Sequence, residues 1–294
     1  AIPSISRRIR NEIIKSLLKY KIAVRTIPDI TDLASGKNLI TQLLDLEIDD
    51  LLGRVPVEPF QSLMKKNIFM KTILVTGAGG SIGSELCRQI IKQKPKQLLL
   101  VEISEYALYT ISNKLEEFKD IETKIIPLRG SVQDSQRMES IISKFKPATI
   151  YHAAAYKHVP LMEYHPDESI KTNIIGTKNI ADLSLEYNVD KFIMISTDKA
   201  VNPTNIMGAT KRFSEIILQA FQDKVDENES KKYSTKFSMV RFGNVLDTSG
   251  SVVPLFRKQI TSGGPVTVTD PNVMRYFMTI KEATDLVIQA GSLS

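Results

Sequence analysis

From Lys71 onward, short apolar runs alternate with longer stretches in which apolar residues recur every three or four positions. The runs at 72–76, 97–102, 123–128, 148–152, 191–196 and 237–242 predict strands, and the periodic stretches between them predict crossover helices. A strand–helix alternation of this kind implies an α/β fold with a doubly wound parallel sheet. After Val245 the alternation breaks into a Gly/Ser turn, a short helix from Val253, a strand over 265–269 and a last helix from Lys281. That region reads as a partial C-terminal substrate-binding lobe. Before the sheet, 6–20 has helical spacing, 22–27 reads as a strand and 43–52 as a second, apolar-acidic helix. The expected division is a small N-terminal α/β appendage over 1–65, too short for a core of its own, a nucleotide-binding domain over 66–245 and the partial lobe over 246–294.

Composition narrows the picture. Apolar, charged, glycine and proline fractions are those of an ordinary globular protein. The net charge of +6 favours an anionic partner, but the basic residues are scattered and aromatics do not interleave with them, which argues against nucleic acid. Cys87, the only cysteine, lies in an apolar helical pattern, so it reads as a core residue in a reducing compartment. No apolar run reaches the length of a membrane span, and Ala1-Ile2-Pro3-Ser4 has no signal-peptide layout. The chain is expected to begin inside a larger protein and to stop directly after a helix. His152, His158 and His165 have neither a zinc-helix spacing nor a cysteine partner, so no metal is expected.

The first strand runs into Gly77-Ala78-Gly79-Gly80-Ser81-Ile82-Gly83 and then a helix over 85–91. A glycine-rich string alone is weak. Here a strand precedes it, a helix follows, and the acidic Glu102 closes the next strand, the context that marks a dinucleotide site. Glycines admit the pyrophosphate to the backbone, where its charge meets the N-terminal end of the helix. Glu102 suits the two ribose hydroxyls and would repel a 2′-phosphate, with no basic residue at 103–105 to offset it, so NAD is expected rather than NADP. Ser131 and Val132, after the third strand, are placed for adenine, and Ala153, Ala154 and Ala155, after the fourth, leave room for the nicotinamide half.

Several longer strings resemble the extended short-chain dehydrogenase/reductases, and more specifically the nucleotide-sugar 4,6-dehydratases of bacterial polysaccharide biosynthesis. They are His152-Ala-Ala-Ala-Tyr-Lys-His158-Val-Pro, Ser196-Thr-Asp-Lys through Gly-Ala-Thr-Lys211, Val240-Arg-Phe-Gly-Asn-Val245 and Gly250-Ser-Val-Val-Pro254. The first section is similar to the segment that precedes the catalytic domain in the large membrane-tethered members. The resemblance implies a Rossmann fold and a redox-neutral, NAD-dependent loss of water from a UDP-linked amino sugar, UDP-N-acetylglucosamine. It also implies a homo-oligomer at the cytoplasmic face of the bacterial inner membrane, attached only through an upstream segment.

By the same resemblance Asp198 would be the acid for the C6 hydroxyl, Lys199 the base at C5 and Thr197 a partner near the C4 oxygen. Adjacent strand residues point to opposite faces, so Asp198 and Lys199 can act together only on a turn, which 200–203 suits. An acid near neutral pH needs a raised carboxyl pKa and a base a lowered amine, and burial under the sugar is expected to supply both. Lys211 would hold the nicotinamide ribose. Met207 takes the place of the tyrosine common in the superfamily and has no proton to exchange, which leaves the C4 base open among Lys199, Asp198 and a bound water. Lys157, His158, Asn173, Asn244, Val245 and Arg275 are implied around the substrate, Arg275 as a partner for the diphosphate. Two alternatives stay open: a 4-epimerase, which shares fold and cofactor but does not need the acid–base pair, and a non-catalytic NAD-binding module.

Overall fold

A computed structural model describes residues 57–293 apart from 119–121, 228–232, 249 and 269, and isolated positions before 57. Six strands, β1 (Thr72–Thr76), β2 (Gln97–Glu102), β3 (Lys124–Arg129), β4 (Thr149–His152), β5 (Lys191–Ile195) and β6 (Lys236–Val240), form one parallel sheet in the order β3-β2-β1-β4-β5-β6. The order reverses between β1 and β4, which opens a crevice at the carboxyl ends of those strands.

Side chains alternate across the sheet, and each face buries its own core. Ile73, Val75, Leu98, Leu100 and Ile193 point into one, with helices α2 (Ser81–Ile91) and α3 (Glu105–Leu115) above them. Leu74, Leu99, Val101, Phe192 and Met194 point into the other, beneath α4 (Ser135–Phe145), α5 (Gly176–Glu186) and α6 (Ile206–Asp226). Burial on both faces explains why the strands are near-continuous in apolar residues. Cys87 is fully buried in the first core, where desolvation pushes its thiol far above the ordinary range.

The strands match the sequence expectation to within a residue or two, but several boundaries move. The helix expected from Glu85 starts at Ser81, because Gly80 takes the extended N-cap conformation and the helix can begin at once. Of the strand expected over 265–269, residues 265–268 join no strand among the described residues, with Val268 62 % exposed, and position 269 lies outside them. A two-residue parallel pair forms instead between Asn244–Val245 and Phe277–Met278. Leu44–Asp45, expected in a helix, pairs antiparallel with Arg25–Thr26, an ambiguity that short apolar runs always carry. The rest of 43–52, save position 52, lies outside the described residues, as does most of 6–20.

The last helix, α8 (Ile280–Leu293), buries Val287 and Ile288 in the first core and packs on α2. A short helix ahead of β1, Gln61–Lys66, lies against α8. There Ser292 donates through Oγ to the Leu63 carbonyl at 2.6 Å, the Phe60 amide to Gln289 Oε1 at 2.9 Å, and Lys66 Nζ to the Ser292 carbonyl at 2.9 Å. Residues more than two hundred positions apart thus close one layer. Met64 anchors it at 2 % exposure. Met64→Ala should lower unfolding free energy by about 2–4 kcal/mol, the usual cost of such a truncation, read from denaturant midpoints at unchanged m-value. A change under about 0.5 kcal/mol would mean that this layer is not part of the cooperative core.

Candidate active site

The crevice at the strand ends holds two adjoining cavities of about 310 Å³ each. They share Ala153, Ala155 and Tyr156 as a common wall. The first is walled by Gly77, Gly79, Gly80, Glu102, Ser131, Val132 and Ala154. Backbone crowding explains the small residues. Gly77 has φ +65, and a Cβ there would lie 2.8 Å from Ala154 Cα; one on Gly79 would lie 2.5 Å from Ala107 Cβ. One on Gly83 would collide with the Gly77 carbonyl oxygen. Gly83 and Ser81 line neither cavity, and their place is in the first turn of α2.

Glu102 Oε2 accepts from the Gly79 amide at 3.0 Å, while Oε1 accepts from the Ile103 and Ser104 amides, each at 3.0 Å. A carboxylate oxygen has lone pairs to spare beyond these bonds, so Glu102 remains able to accept from ribose hydroxyls. Gly80 caps α2 with no side-chain bond of its own, leaving the helix end open toward the cavity. Small residues where a Cβ would collide, an open helix N-terminus and a fixed carboxylate together fit the pyrophosphate and ribose of a dinucleotide.

The second cavity brings together Ile82, Lys157, His158, Thr197, Lys199, Met207, Lys211, Asn244 and Val245. Asp198 stands just behind. A 3-10 turn over Asp198–Ala200 follows β5, so the adjacent pair does sit on a turn. Asp198 Oδ1 accepts from Thr197 Oγ1 at 2.9 Å and from Lys199 Nζ at 3.0 Å, and Lys199 Nζ also reaches Asn244 Oδ1 at 3.3 Å. Partial burial alone would push the Asp198 carboxyl up, but hydrogen bonds from Lys199 and Thr197 outweigh it and hold the group below its ordinary value. The raised value expected of an acid is therefore not a property of the open site, where the side chain keeps 47 % exposure and a cationic partner.

Lys211 is buried and donates to the Ile195 carbonyl at 2.6 Å. Desolvation pushes its ammonium down to about 8, opposed in part by the Glu215 carboxylate one turn away. Met207 is 3 % exposed and lies on the cavity wall with no proton to offer. Desolvation also lowers Lys157. His158 packs against Gly250, where a Cβ would strike its ring. Among the described residues no group of His, Cys, Asp and Glu is placed to hold a metal ion.

Two residues expected near the substrate are not brought there. Asn173 is fully buried. Its Oδ1 accepts from the Tyr156 amide at 2.8 Å, and its Nδ2 donates to the Tyr156 carbonyl at 3.1 Å and to Thr210 Oγ1 at 3.0 Å, so it braces the shared wall. Arg275 is exposed, outside both cavities, and donates to the Met274 carbonyl.

The structure adds residues that motif reading passed over. His152 is buried between Thr76 Oγ1, 2.8 Å from Nδ1, and Thr177 Oγ1, 3.0 Å from Nε2. Thr177 donates its own proton to the Asn173 carbonyl at 2.6 Å, so it accepts from Nε2–H, and Nδ1 accepts from Thr76. Burial, with Lys211 nearby, holds His152 neutral, its pKa down to about 3. Glu215 lies beneath the Asp198–Ala200 turn at 1 % exposure, bonded to Ser196, Arg241 and Arg212. The i, i+4 spacing from Lys211 to Glu215 on an amphipathic helix was the available signal.

The six-stranded order and the crevice define a Rossmann fold of the extended short-chain dehydrogenase type. The chain belongs to the polysaccharide biosynthesis protein family, whose model matches residues 73–294. It is 49 % identical over 294 residues to the capsular polysaccharide biosynthesis protein CapD of Staphylococcus aureus, covering 100 % of this chain and 48 % of CapD. The chain thus spans about half the length of that curated relative. Among solved structures it is similar to Pen from Bacillus thuringiensis, at 34 % identity and TM-score 0.68 over 76 % of this chain and 65 % of Pen. It is also similar to a UDP-glucose 4-epimerase from Thermotoga maritima solved with UDP-glucose, at 25 % identity and TM-score 0.61 over 75 % of this chain and 72 % of that one.

Lys211 yields a pH prediction. Its folded pKa of about 8 lies below the unfolded 10.5, so between these values the unfolded chain binds the extra proton. Stability should therefore rise with pH from about 8 to 10.5, by up to roughly 3 kcal/mol from this group. Denaturation of the ligand-free protein across that range should show the rise, and Lys211→Met should remove it; an equal slope in both proteins would contradict the buried ammonium.

Proposed function

We propose that the chain is the NAD-binding and catalytic part of a nucleotide-sugar 4,6-dehydratase that acts on UDP-N-acetylglucosamine in surface polysaccharide synthesis. The observation that carries the reading is Asp198 and Lys199 hydrogen-bonded on one turn at a cavity that adjoins the dinucleotide cradle. NAD would lie in that cradle, with Glu102 on its ribose, Ser131 and Val132 beside adenine, and Lys211 at the nicotinamide ribose. When bound it supplies the capacity to take hydride from C4 of the hexose and return it to C6.

The remaining steps belong to side chains. Elimination needs a base at C5 and an acid at the C6 hydroxyl, once a C4 ketone has acidified the C5 proton. In the open site Lys199 and Asp198 are an ion pair 3.0 Å apart. Moving one proton along that hydrogen bond makes a neutral amine and a carboxylic acid, the two forms required, without exchange with solvent. A sugar covering the pair removes water from both charges and favours this neutral form. Lys199 then takes the C5 proton and Asp198 delivers its proton to the leaving hydroxyl, so one water departs; the C4 hydroxyl proton given up at oxidation passes to solvent, the Lys199 ammonium, exchanged with solvent, returns a proton to C5 as C6 regains hydride, and the pair takes one proton back from solvent. Thr197, whose hydroxyl donates to Asp198, would contact the C4 oxygen. Asn244 holds Lys199 from the opposite loop, and Lys157, His158 and Val245, which line the same cavity, would border the sugar. The likeness to a UDP-glucose 4-epimerase supports a second reading, C4 epimerisation, which uses the same cradle but has no task for an acid at C6.

The test is incubation of the full-length protein with UDP-N-acetylglucosamine in deuterated water, followed by mass spectrometry. The dehydratase gives a product lighter by one water with solvent deuterium incorporated. An isomer of unchanged mass favours the epimerase and overturns the proposal. Lys199→Ala should lower turnover by a factor of about a thousand, in the middle of the range for a lost general base, with NAD affinity unchanged; retained turnover would remove Lys199 from its role.

A further inference from the structure

We propose that Glu215 is a positioning residue that clamps the two catalytic loops in register, an inference that rests on the dehydratase reading for its catalytic consequence. Glu215 sits on α6 one turn beyond Lys211, and its side chain is fully buried. Ser196, the residue immediately before the Thr197-Asp198-Lys199 turn, donates through Oγ to Oε1 at 2.6 Å. Arg241, at the end of β6 and three residues before Asn244, donates Nε to the same oxygen at 2.8 Å and NH2 to Oε2 at 2.5 Å. Arg212 closes the outer side at 3.0 Å from Oε2.

One carboxylate therefore joins the root of the loop carrying the acid and base to the root of the loop carrying Asn244. The two loops meet again above it, where Lys199 Nζ reaches Asn244 Oδ1. Between these ties the backbones run in step: the Ser196 amide donates to the Val240 carbonyl at 2.7 Å and the Asp198 amide to the Phe242 carbonyl at 3.1 Å. Partial desolvation acts to raise the Glu215 carboxyl, but hydrogen bonds from Arg241, Ser196 and Arg212 hold it low and charged. Two guanidiniums and one hydroxyl are more donors than an isosteric amide can accept, because its NH2 end must face one of them. Glu215 touches neither cavity, so it acts through Ser196 and Arg241.

The experiment uses Glu215→Gln and the milder Ser196→Ala in the full-length protein, with two readouts. Hydrogen exchange followed by mass spectrometry should quicken in residues 196–201 and 241–247 together in Glu215→Gln, and in 196–201 alone in Ser196→Ala, while β1 and β2 keep their protection. With UDP-N-acetylglucosamine, Glu215→Gln should lose about 10- to 100-fold in kcat, the scale of a misplacement near 1 Å, with KM and NAD affinity within about threefold. Glu215→Asp, which keeps the charge but shortens the reach, should recover less than half of that loss. Unchanged exchange in both segments, or exchange raised evenly over the whole sheet, overturns the clamp. If the unsubstituted protein does not dehydrate the sugar nucleotide, the functional reading falls, and the exchange result still decides the clamp by itself.

Discussion

The site depends on how closely three pieces of backbone approach at the end of β1. Gly77 turns with φ +65 and leaves less than a methyl group's room beside Ala153 and Ala154 at the end of β4, while Gly83 presses the first turn of α2 onto the Gly77 carbonyl. Any side chain at these positions would push α2 from the sheet or β4 from β1. Because the helix can come down so tightly, its N-terminal amides open at the same level as the Ala153–Tyr156 wall. The wall then serves two cavities at once. A cofactor in one and a sugar in the other would be separated only by that shared edge, the spacing a transfer between them demands.

The wall is held from behind by groups that never reach solvent. His152 is tied to β1 through Thr76 and to α5 through Thr177, and Asn173 grips both the amide and the carbonyl of Tyr156. A buried imidazole that must donate at one nitrogen and accept at the other has a single tautomer here, fixed by the Thr177 hydroxyl pointing at the Asn173 carbonyl. The polar layer under the crevice is thus fully paired at His152 and Asn173, which permits burial without a large penalty.

Much of this was legible in the chain. Strands buried on both faces announce themselves as unbroken apolar runs, and the glycine spacing followed by Glu102 marks the crevice, because those constraints act on residues close in sequence. What was lost depends on distant partners. Nothing local to 61–66 signals that Met64 will lie under α8, and the clasp becomes visible only when Ser292 meets Leu63. Asn173 matches a motif position for substrate contact, yet the backbone of Tyr156 takes up both ends of its amide. Arg275 has the right chemistry for a diphosphate, but its loop carries it into solvent, and Glu215 gains its partners Ser196 and Arg241 only from strand ends distant in sequence.

The difference between elimination and epimerisation comes down to proton inventory. An epimerase needs one group to take and return the C4 hydroxyl proton, a task the superfamily commonly gives to a tyrosine at the position occupied here by Met207. A thioether cannot serve, so a chain that keeps the cradle while losing that tyrosine must hold its proton traffic elsewhere. The traffic in this crevice converges on one oxygen: Asp198 Oδ1 accepts from both Thr197 and Lys199. Such a shared acceptor can pass a proton toward C4 through the threonine or toward C5 and C6 through the lysine and the acid itself. Moving a proton within the Asp198–Lys199 hydrogen bond leaves the total charge of the pair unchanged, so a sugar closing over it would not bury a net charge, and the cost that burial imposes on a lone ammonium or carboxylate would be largely avoided.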